Sequence, residues 1–248
     1  MELIHKLEKQ GNWLFRWRSF LPLILLAGGI ITILVENRQS TILTGTGWEI
    51  SCIILSFIGF FIRFYTIGQI PLGTSGNCTR AGLSADSLNT SGIYSLLRHP
   101  LYLANFIIWF GICLFVASWW LAVIFVLLFW LYYERIIFTE EIYLTKQHKK
   151  EHSDWAAVTP GFIPSFKNYK PNEMNFSWKH SLGRECNGFF AIVITFSLLR
   201  AIKWLWFENI HTPGIFWYIF LSSGLIIYLI LRFLKKKTNL FKVKGREQ

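Results

Sequence analysis

The segment Thr90-Ser-Gly-Ile-Tyr94-Ser-Leu-Leu-Arg98-His99-Pro100-Leu-Tyr102 stands directly before a long apolar run, and Glu140-Glu141 follows that run. Ionisable groups at a membrane boundary are costly to desolvate, so their density here points to a site more than to packing. Proline is preorganised for the first position of a helix and needs no N–H partner there. A helix entering the membrane therefore starts at Pro100, with Arg98 and His99 at its mouth. The free N–H groups and positive dipole end of such a mouth attract an anionic group such as a carboxylate. Tyr94 and Tyr102 add aromatic walls with hydroxyl tips. Adjacent carboxylates on a helix point about 100° apart, so one of Glu140 and Glu141 faces inward, where it could bind a ribose diol or an ammonium group. Each half has a plainer reading: an interfacial anchor of Arg, His and Tyr, and a solvated helix end partnered by Lys146 or Arg135. Their coincidence favours a site.

The elements that must hold these groups are membrane helices. The chain of 248 residues is 53% hydrophobic and 16% charged, against about 25% charged in soluble domains, and its apolar residues fall in long blocks. This is the pattern of a polytopic membrane protein with one integral membrane domain over residues 1–248. Six spans are expected: residues 20–35, 48–65, two short helices within 101–133, then 188–207 and 215–233. A single helix over residues 101–133 would reach about 50 Å, well beyond a ~30 Å hydrocarbon core. A hairpin turning near Ser118-Trp119-Trp120 fits better, with the tryptophans at the far interface. The fold class is thus all-α, a polytopic membrane helix bundle.

The net charge of +11 could suggest nucleic acid, but the placement of Lys and Arg argues for topology instead. Lys6, Lys9, Arg16 and Arg18, then Arg80 and Arg98, then the 138–187 segment and the Lys235-Lys236-Lys237 tail fall on one side. Both termini and the Arg98 segment are therefore expected in the cytosol, with the bilayer and not nucleic acid as partner. The tail reads as an anchor with some affinity for anionic lipid, at about 1 kcal/mol per basic residue near the surface. No cleavable signal peptide is expected before the first span. Two long polar connections, residues 68–98 and 138–187, emerge on the same side and can meet; loops of that length are usually functional or disordered.

Other signals are weaker. Cys52 and Cys113 lie in spans and Cys78 and Cys186 in cytosolic loops, so no disulfide is expected. His148 and His152 have a metal-compatible i, i+4 spacing but no third ligand, so no metal is assigned. Asn77, Asn89 and Asn175 begin formal glycosylation acceptors, read as chance matches on the cytosolic side.

The Arg98-His99-Pro100-Leu-Tyr102 segment, the hairpin, Glu140-Glu141 and the Phe162-Ile163-Pro164 ending together resemble one family. They are similar to the isoprenylcysteine carboxyl methyltransferase and phospholipid methyltransferase family, integral membrane enzymes that use S-adenosylmethionine. The similarity covers residues 85–166, a methyltransferase-like cofactor-binding core. It implies that Asp86, Ser87, Leu88, Asn89, Tyr94, His99, Pro100, Leu101, Tyr102 and Glu140 line the cofactor pocket. It also implies that Arg98, Arg135 and Glu141 serve the reaction. The family's acceptor-contacting arginine lies four residues before the first Glu, which here is Ile136, and Arg135 sits one residue, about 100°, away. The family's Phe-Gly, Tyr and Tyr after Glu-Glu are replaced by His148-Lys149, His152 and Trp155, which alters the lid of the pocket.

The expected activity is O-methylation by S-adenosylmethionine of the carboxyl or phosphate head of a lipidic acceptor. Methyl transfer from a sulfonium is an in-line displacement that needs alignment and exclusion of water more than proton transfer. An anionic oxygen needs no general base, whereas an amine head would have to lose a proton, and no dedicated base stands out. Nothing suggests a prenyl-processing context, which favours a lipid headgroup over a prenylated carboxyl. A second reading is a membrane reductase of the sterol-reductase type, whose NADPH phosphate would want more cations than residues 86–89 offer. A third is a non-catalytic transporter or scaffold, which would place polar residues near the midplane of its spans.

Overall fold

A computed structural model describes residues 2–18, 20–35, 45–71, 77–79, 82–84, 87–172, 174–207, 214–243 and 246. The described chain is all-α apart from a small antiparallel hairpin of β1 (Asn77–Thr79) and β2 (Gly82–Ser84). The helices are α1 (Glu2–Trp17), α2 (Leu21–Val35), α3 (Thr46–Gln69), α4 (Pro100–Phe115), α5 (Trp119–Val158), α6 (Trp178–Trp206) and α7 (Ile215–Lys237).

All six apolar segments expected from sequence are helical, but their lengths differ. Among the described helices, α3, α5, α6 and α7 are each long and apolar enough to cross a membrane. The α1–α2 pair, bent by 72°, adds at most a fifth span, and α4 is a shorter apolar helix. At 1.5 Å per residue, 15- and 16-residue helices such as α2 and α4 reach only about 22–24 Å of a ~30 Å core. The apolar part of α5 lies before Glu134, and the remainder is polar. Large apolar side chains such as Ile58, Phe61, Leu127, Trp130, Ile226 and Phe233 face outward, as lipid-facing residues do.

The core forms where α3, α4 and α6 press together. Gly59 and Gly111 let α3 and α4 approach backbone to backbone: a Cβ on Gly111 would meet the Cys52 carbonyl oxygen at 2.7 Å, and one on Gly59 the Ala104 carbonyl oxygen at 2.7 Å. Ser56 Oγ fills the space beside Gly111 and donates to the Ile108 carbonyl at 2.8 Å. Small residues at the crossing are how helices pack where lipid supplies no hydrophobic drive. Phe60, Ile112, Phe115, Phe125, Phe129 and Phe196 complete the buried cluster.

Three local features depart from the sequence reading. The hairpin turn falls at Val116-Ala117-Ser118, with Ala117 in the left-handed region at φ 70°. Helix α6 begins at Trp178, not near Gly188, because Ser177 caps it by accepting from the His180 N–H. Cys186 is therefore a buried helix residue and not a loop residue. The charged leader is itself a helix: α1 lies along the polar part of α5, where Gly11 meets the Arg135 carbonyl and Thr139. Both ends of the described chain lie at the bundle end that carries the start of α4. Lys146 Nζ bonds Glu8 Oε1 at 3.0 Å, and Arg246 Nη1 donates to the Gly68 carbonyl at the C-terminus of α3.

Candidate active site

Helix α4 starts at Pro100 with His99 as its N-cap residue, as the position of the proline dictates. The His99 carbonyl accepts from Tyr102 N and Leu103 N, while its side chain makes no cap bond and points to α5. There both adjacent carboxylates converge on it. His99 Nε2 lies 2.8 Å from Glu141 Oε1, and since a carboxylate only accepts, Nε2 carries the proton. His99 Nδ1 stands 3.6 Å from Glu140 Oε2. Arg98 Nη1 donates to Glu141 Oε2 at 2.5 Å, and Tyr102 Oη donates to Glu140 Oε2 at 2.7 Å. The expectation that only one carboxylate faces inward is thus overturned: Arg98, His99 and Tyr102 spread along the start of α4 widely enough to engage both.

The two carboxylates differ in what they have left. Both oxygens of Glu141 are engaged, by Arg98 and His99. Burial alone would raise the Glu141 carboxyl, but its hydrogen bond to His99 and the charges of His99, Arg98 and His152 outweigh burial and hold it below the ordinary carboxylate range. Glu140 uses Oε2 for Tyr102 and leaves Oε1 able to accept from a ligand. Tyr94 lies close enough to feel both Glu140 and Arg63; burial, then Glu140, pushes its hydroxyl up, so it stays a donor.

The altered lid is built by a reversal of α5. Along a straight helix residues 141 and 152 would lie about 16 Å apart. Yet His152 Nε2 reaches within 3.6 Å of Glu141 Oε2, and His152 Nδ1 within 3.0 Å of Thr145 Oγ1. Lys149, at φ 46° and ψ −116°, turns the chain back and so breaks the expected i, i+4 helix register of His148 and His152. Trp155, beyond the turn, donates its indole N–H to the Tyr94 carbonyl at 3.1 Å. Burial lowers the His152 imidazole, against the opposing pull of Glu141. The 155–172 segment then straps the mouth of α4, through Arg98 N to the Pro160 carbonyl, Ser165 N to the Leu96 carbonyl and Gly92 N to the Lys170 carbonyl, all at 2.9 Å. The two long polar connections do meet.

Not every expected residue reaches this cluster. Pro100 is buried and Leu101 half-buried at the start of α4. Ser87 is exposed, Leu88 and Asn89 are half-buried, and Asp86 lies outside the described residues. Arg135 faces α1: its Nε donates to Gln10 Oε1 at 3.2 Å and its Nη1 to the Leu131 carbonyl at 2.8 Å. Ile136, at the family's arginine position, is fully buried against Phe15 and Tyr132. Sequence reading missed a deeper layer, in which Arg63 donates from Nε to Glu185 Oε2 at 2.8 Å and from Nη1 to Asn105 Oδ1 at 3.0 Å. Asn105 lies one turn below Tyr102 and donates to Tyr133 Oη at 3.4 Å. The available signal was Arg63 itself, an arginine in an apolar run but close enough to its end to pass for a snorkelling side chain.

Buried polar atoms without partners mark where a ligand's polar groups fit. Among the described residues eight such atoms occur; Arg98 Nε and His152 Nε2 belong to this cluster, Asn89 Nδ2 and His148 Nε2 lie on the segments that lead into it in sequence, and the other four are elsewhere in the bundle. Two of them, Asn89 Nδ2 and Arg98 Nε, are donors suited to a carboxylate, and Glu140 Oε1 is an acceptor suited to a hydroxyl or ammonium group. A zwitterionic amino acid with a ribose diol, as in S-adenosylmethionine, matches this mixed donor and acceptor set. Among the described residues no group of three or more His, Cys, Asp or Glu is placed to hold a metal ion.

Comparison with known proteins finds a matching family and two similar proteins. A family profile described as phospholipid methyltransferase matches residues 48–151, from α3 through the Lys149 reversal. The nickel-cobalt-cadmium resistance protein NccN of Alcaligenes xylosoxydans xylosoxydans is 31% identical over 189 residues, covering 71% of this chain and 85% of that protein. The cobalt-zinc-cadmium resistance protein CzcN of Cupriavidus metallidurans is 34% identical over 90 residues, covering 36% of this chain and 41% of that protein. No solved structure matches the chain.

Proposed function

The chain belongs to the phospholipid methyltransferase family, and from that premise we propose that it methylates the anionic head of a lipidic acceptor with S-adenosylmethionine as donor. The single observation that carries this reading is the division of labour between the paired carboxylates. Glu141 is fully engaged by Arg98 and His99, while Glu140 keeps one oxygen for a ligand, and Arg98 Nε and Asn89 Nδ2 remain buried donors without partners. When bound, S-adenosylmethionine supplies an electrophilic methyl on a sulfonium, which an acceptor oxygen takes while the thioether leaves.

The chain's own residues bind, orient and exclude water. Glu140 Oε1 would hold a ribose hydroxyl or the ammonium group, and Asn89 and Arg98 Nε a carboxylate. His152 and Trp155, folded back at Lys149, cover the mouth of α4. The titratable groups at the site are spent on one another, Arg98 and His99 on Glu141 and Tyr102 on Glu140, which suits an acceptor that is already an anion. With Arg135 turned to α1, the cation on the bilayer side of the site is Arg63, whose Nη2 remains open to orient a phosphate or carboxylate. The acceptor's tail would stay in the bilayer beside α4. Placement of the site on the cytosolic face, from the Lys and Arg distribution, belongs to the same proposal.

Titration calorimetry of the detergent-purified protein with S-adenosylhomocysteine tests the donor. Binding that is lost in His99→Ala and Glu140→Ala is expected. No binding to the wild type, with NADPH bound instead, would sink the reading in favour of a reductase.

A further inference from the structure

The molecule has a second polar recess, on the far side of α5 from the site. Lys6, Lys9, Gln10, Trp13 and Leu14 of α1 and Arg135 of α5 line an open groove of about 490 Å³. Its construction follows from how α1 seats. Phe15 buries against Tyr132 and Ile136, Tyr132 Oη donates to the Leu14 carbonyl at 3.1 Å, and Gly11 lets the helices touch. That register leaves the Lys6–Lys9–Trp13 face of α1 outward and sets Arg135 at its foot.

The charges are arranged for an anion. Arg135 is oriented by neutral groups, the Gln10 amide oxygen and the Leu131 carbonyl, with Glu134 no closer than 3.8 Å and 61% exposed. Lys6 pairs only with the exposed Glu2, and no ion pair engages Lys9 among the described residues. The rest of the wall is apolar and aromatic. Trp13, 60% exposed, begins a row of rings, Trp13 to Trp17 at 6.2 Å and Trp17 to Phe20 at 5.3 Å, that leads toward α2. Exposed tryptophans beside lysines are the signature of a helix lying at the membrane interface. A groove with cations at one end and an aromatic row running toward a membrane helix matches an amphiphile with an anionic head.

We propose that the Lys6–Lys9–Arg135 groove binds the phosphate of an anionic glycerophospholipid, with its glycerol and upper acyl chains along Trp13 and Trp17. This site is separate from the methyl-transfer site and does not depend on the reading of that site. It also assigns Arg135 a ligand other than the methyl acceptor.

Native mass spectrometry of the detergent-purified protein with dioleoylphosphatidylglycerol or dioleoylphosphatidylcholine tests it. Retention of phosphatidylglycerol over phosphatidylcholine is expected, weakened roughly tenfold or more in Lys9→Gln/Arg135→Gln. Lys9→Gln alone, on an exposed face, should weaken it by a smaller factor with no change in melting temperature, which guards against a folding artefact. Lys236→Gln/Lys237→Gln, which trims the general attraction of the exposed tail for anionic lipid, should weaken retention by a smaller factor than the groove double variant does. Equal retention of both lipids, no loss in the groove variants, or a loss confined to the tail variant would overturn the proposal. Displacement by a few millimolar inorganic phosphate would assign the groove to a soluble anion and overturn the lipid.

Discussion

Glutamine at position 140 and glutamine at position 141 should fail in different ways. Glu141 receives charge-assisted bonds from Arg98 at 2.5 Å and His99 at 2.8 Å, each worth about 1.5–3 kcal/mol. Its amide would keep one acceptor oxygen and lose the charge that balances Arg98. Breaking a fully buried pair costs about 3–5 kcal/mol. The Arg98 and Glu141 side chains are 22% and 19% exposed, which brings the expected loss to about 2–3 kcal/mol. For a chain of this size that is a drop of roughly 5–10 °C in Tm. Glu140→Gln can still accept from Tyr102 and should cost under about 1 kcal/mol in stability. It removes the charge offered to the ligand, so the Kd for S-adenosylhomocysteine should rise roughly tenfold to a hundredfold. Tryptophan-fluorescence melting and calorimetry on the same detergent preparations read both quantities. Equal effects of the two variants on Tm, or a larger fall in Glu140→Gln than in Glu141→Gln, would refute the division of labour.

Other consequences follow from the same contacts. Because the Glu141 carboxyl is lowered in the folded state, its stabilisation is complete above the ordinary carboxylate range and fades as pH falls through the lowered value. Acid melting curves of the wild type should show that loss and Glu141→Gln should lack it; parallel curves would contradict the assignment. Lys149 occupies a backbone region that favours glycine, so Lys149→Gly should raise stability by about 1 kcal/mol, and a lower Tm would argue against the reversal. Arg63→Gln leaves the buried Glu185 unpaired and should cost about 3 kcal/mol, while Arg63→Gln/Glu185→Gln should cost less than the sum of its parts. Strict additivity in denaturant titrations would mean that the pair is not coupled.

The mouth of α4 was legible in sequence because proline sets a helix start locally, and Arg98, His99 and Tyr102 then follow by position. The hairpin was legible from length, since one helix over residues 101–133 is too long for a bilayer. Its turn lies two residues earlier than expected because Ala117, which carries no glycine or proline signal, takes the left-handed conformation. The lid was not legible for the same reason: Lys149 at positive φ has no sequence signature, yet it brings His152 and Trp155 to the site. Nor could spacing show that both carboxylates face α4, because the partners spread over Arg98, His99 and Tyr102 belong to another helix. Arg135 and Arg63 exchanged prominence for a tertiary reason. The face of α5 that carries Arg135 is taken by α1, whereas α3 brings Arg63 beside Asn105, one turn below the site.

The central claim is methyl transfer to a lipid head, and a donor labelled in its methyl group reads it directly. Membranes containing the protein, incubated with S-adenosylmethionine bearing a deuterated methyl, should yield a lipid that has gained that methyl, detected by mass spectrometry. The product should disappear in Glu140→Gln membranes that hold the same amount of folded protein. Absence of any labelled lipid with the wild type, or equal labelling by wild type and Glu140→Gln, would contradict the account.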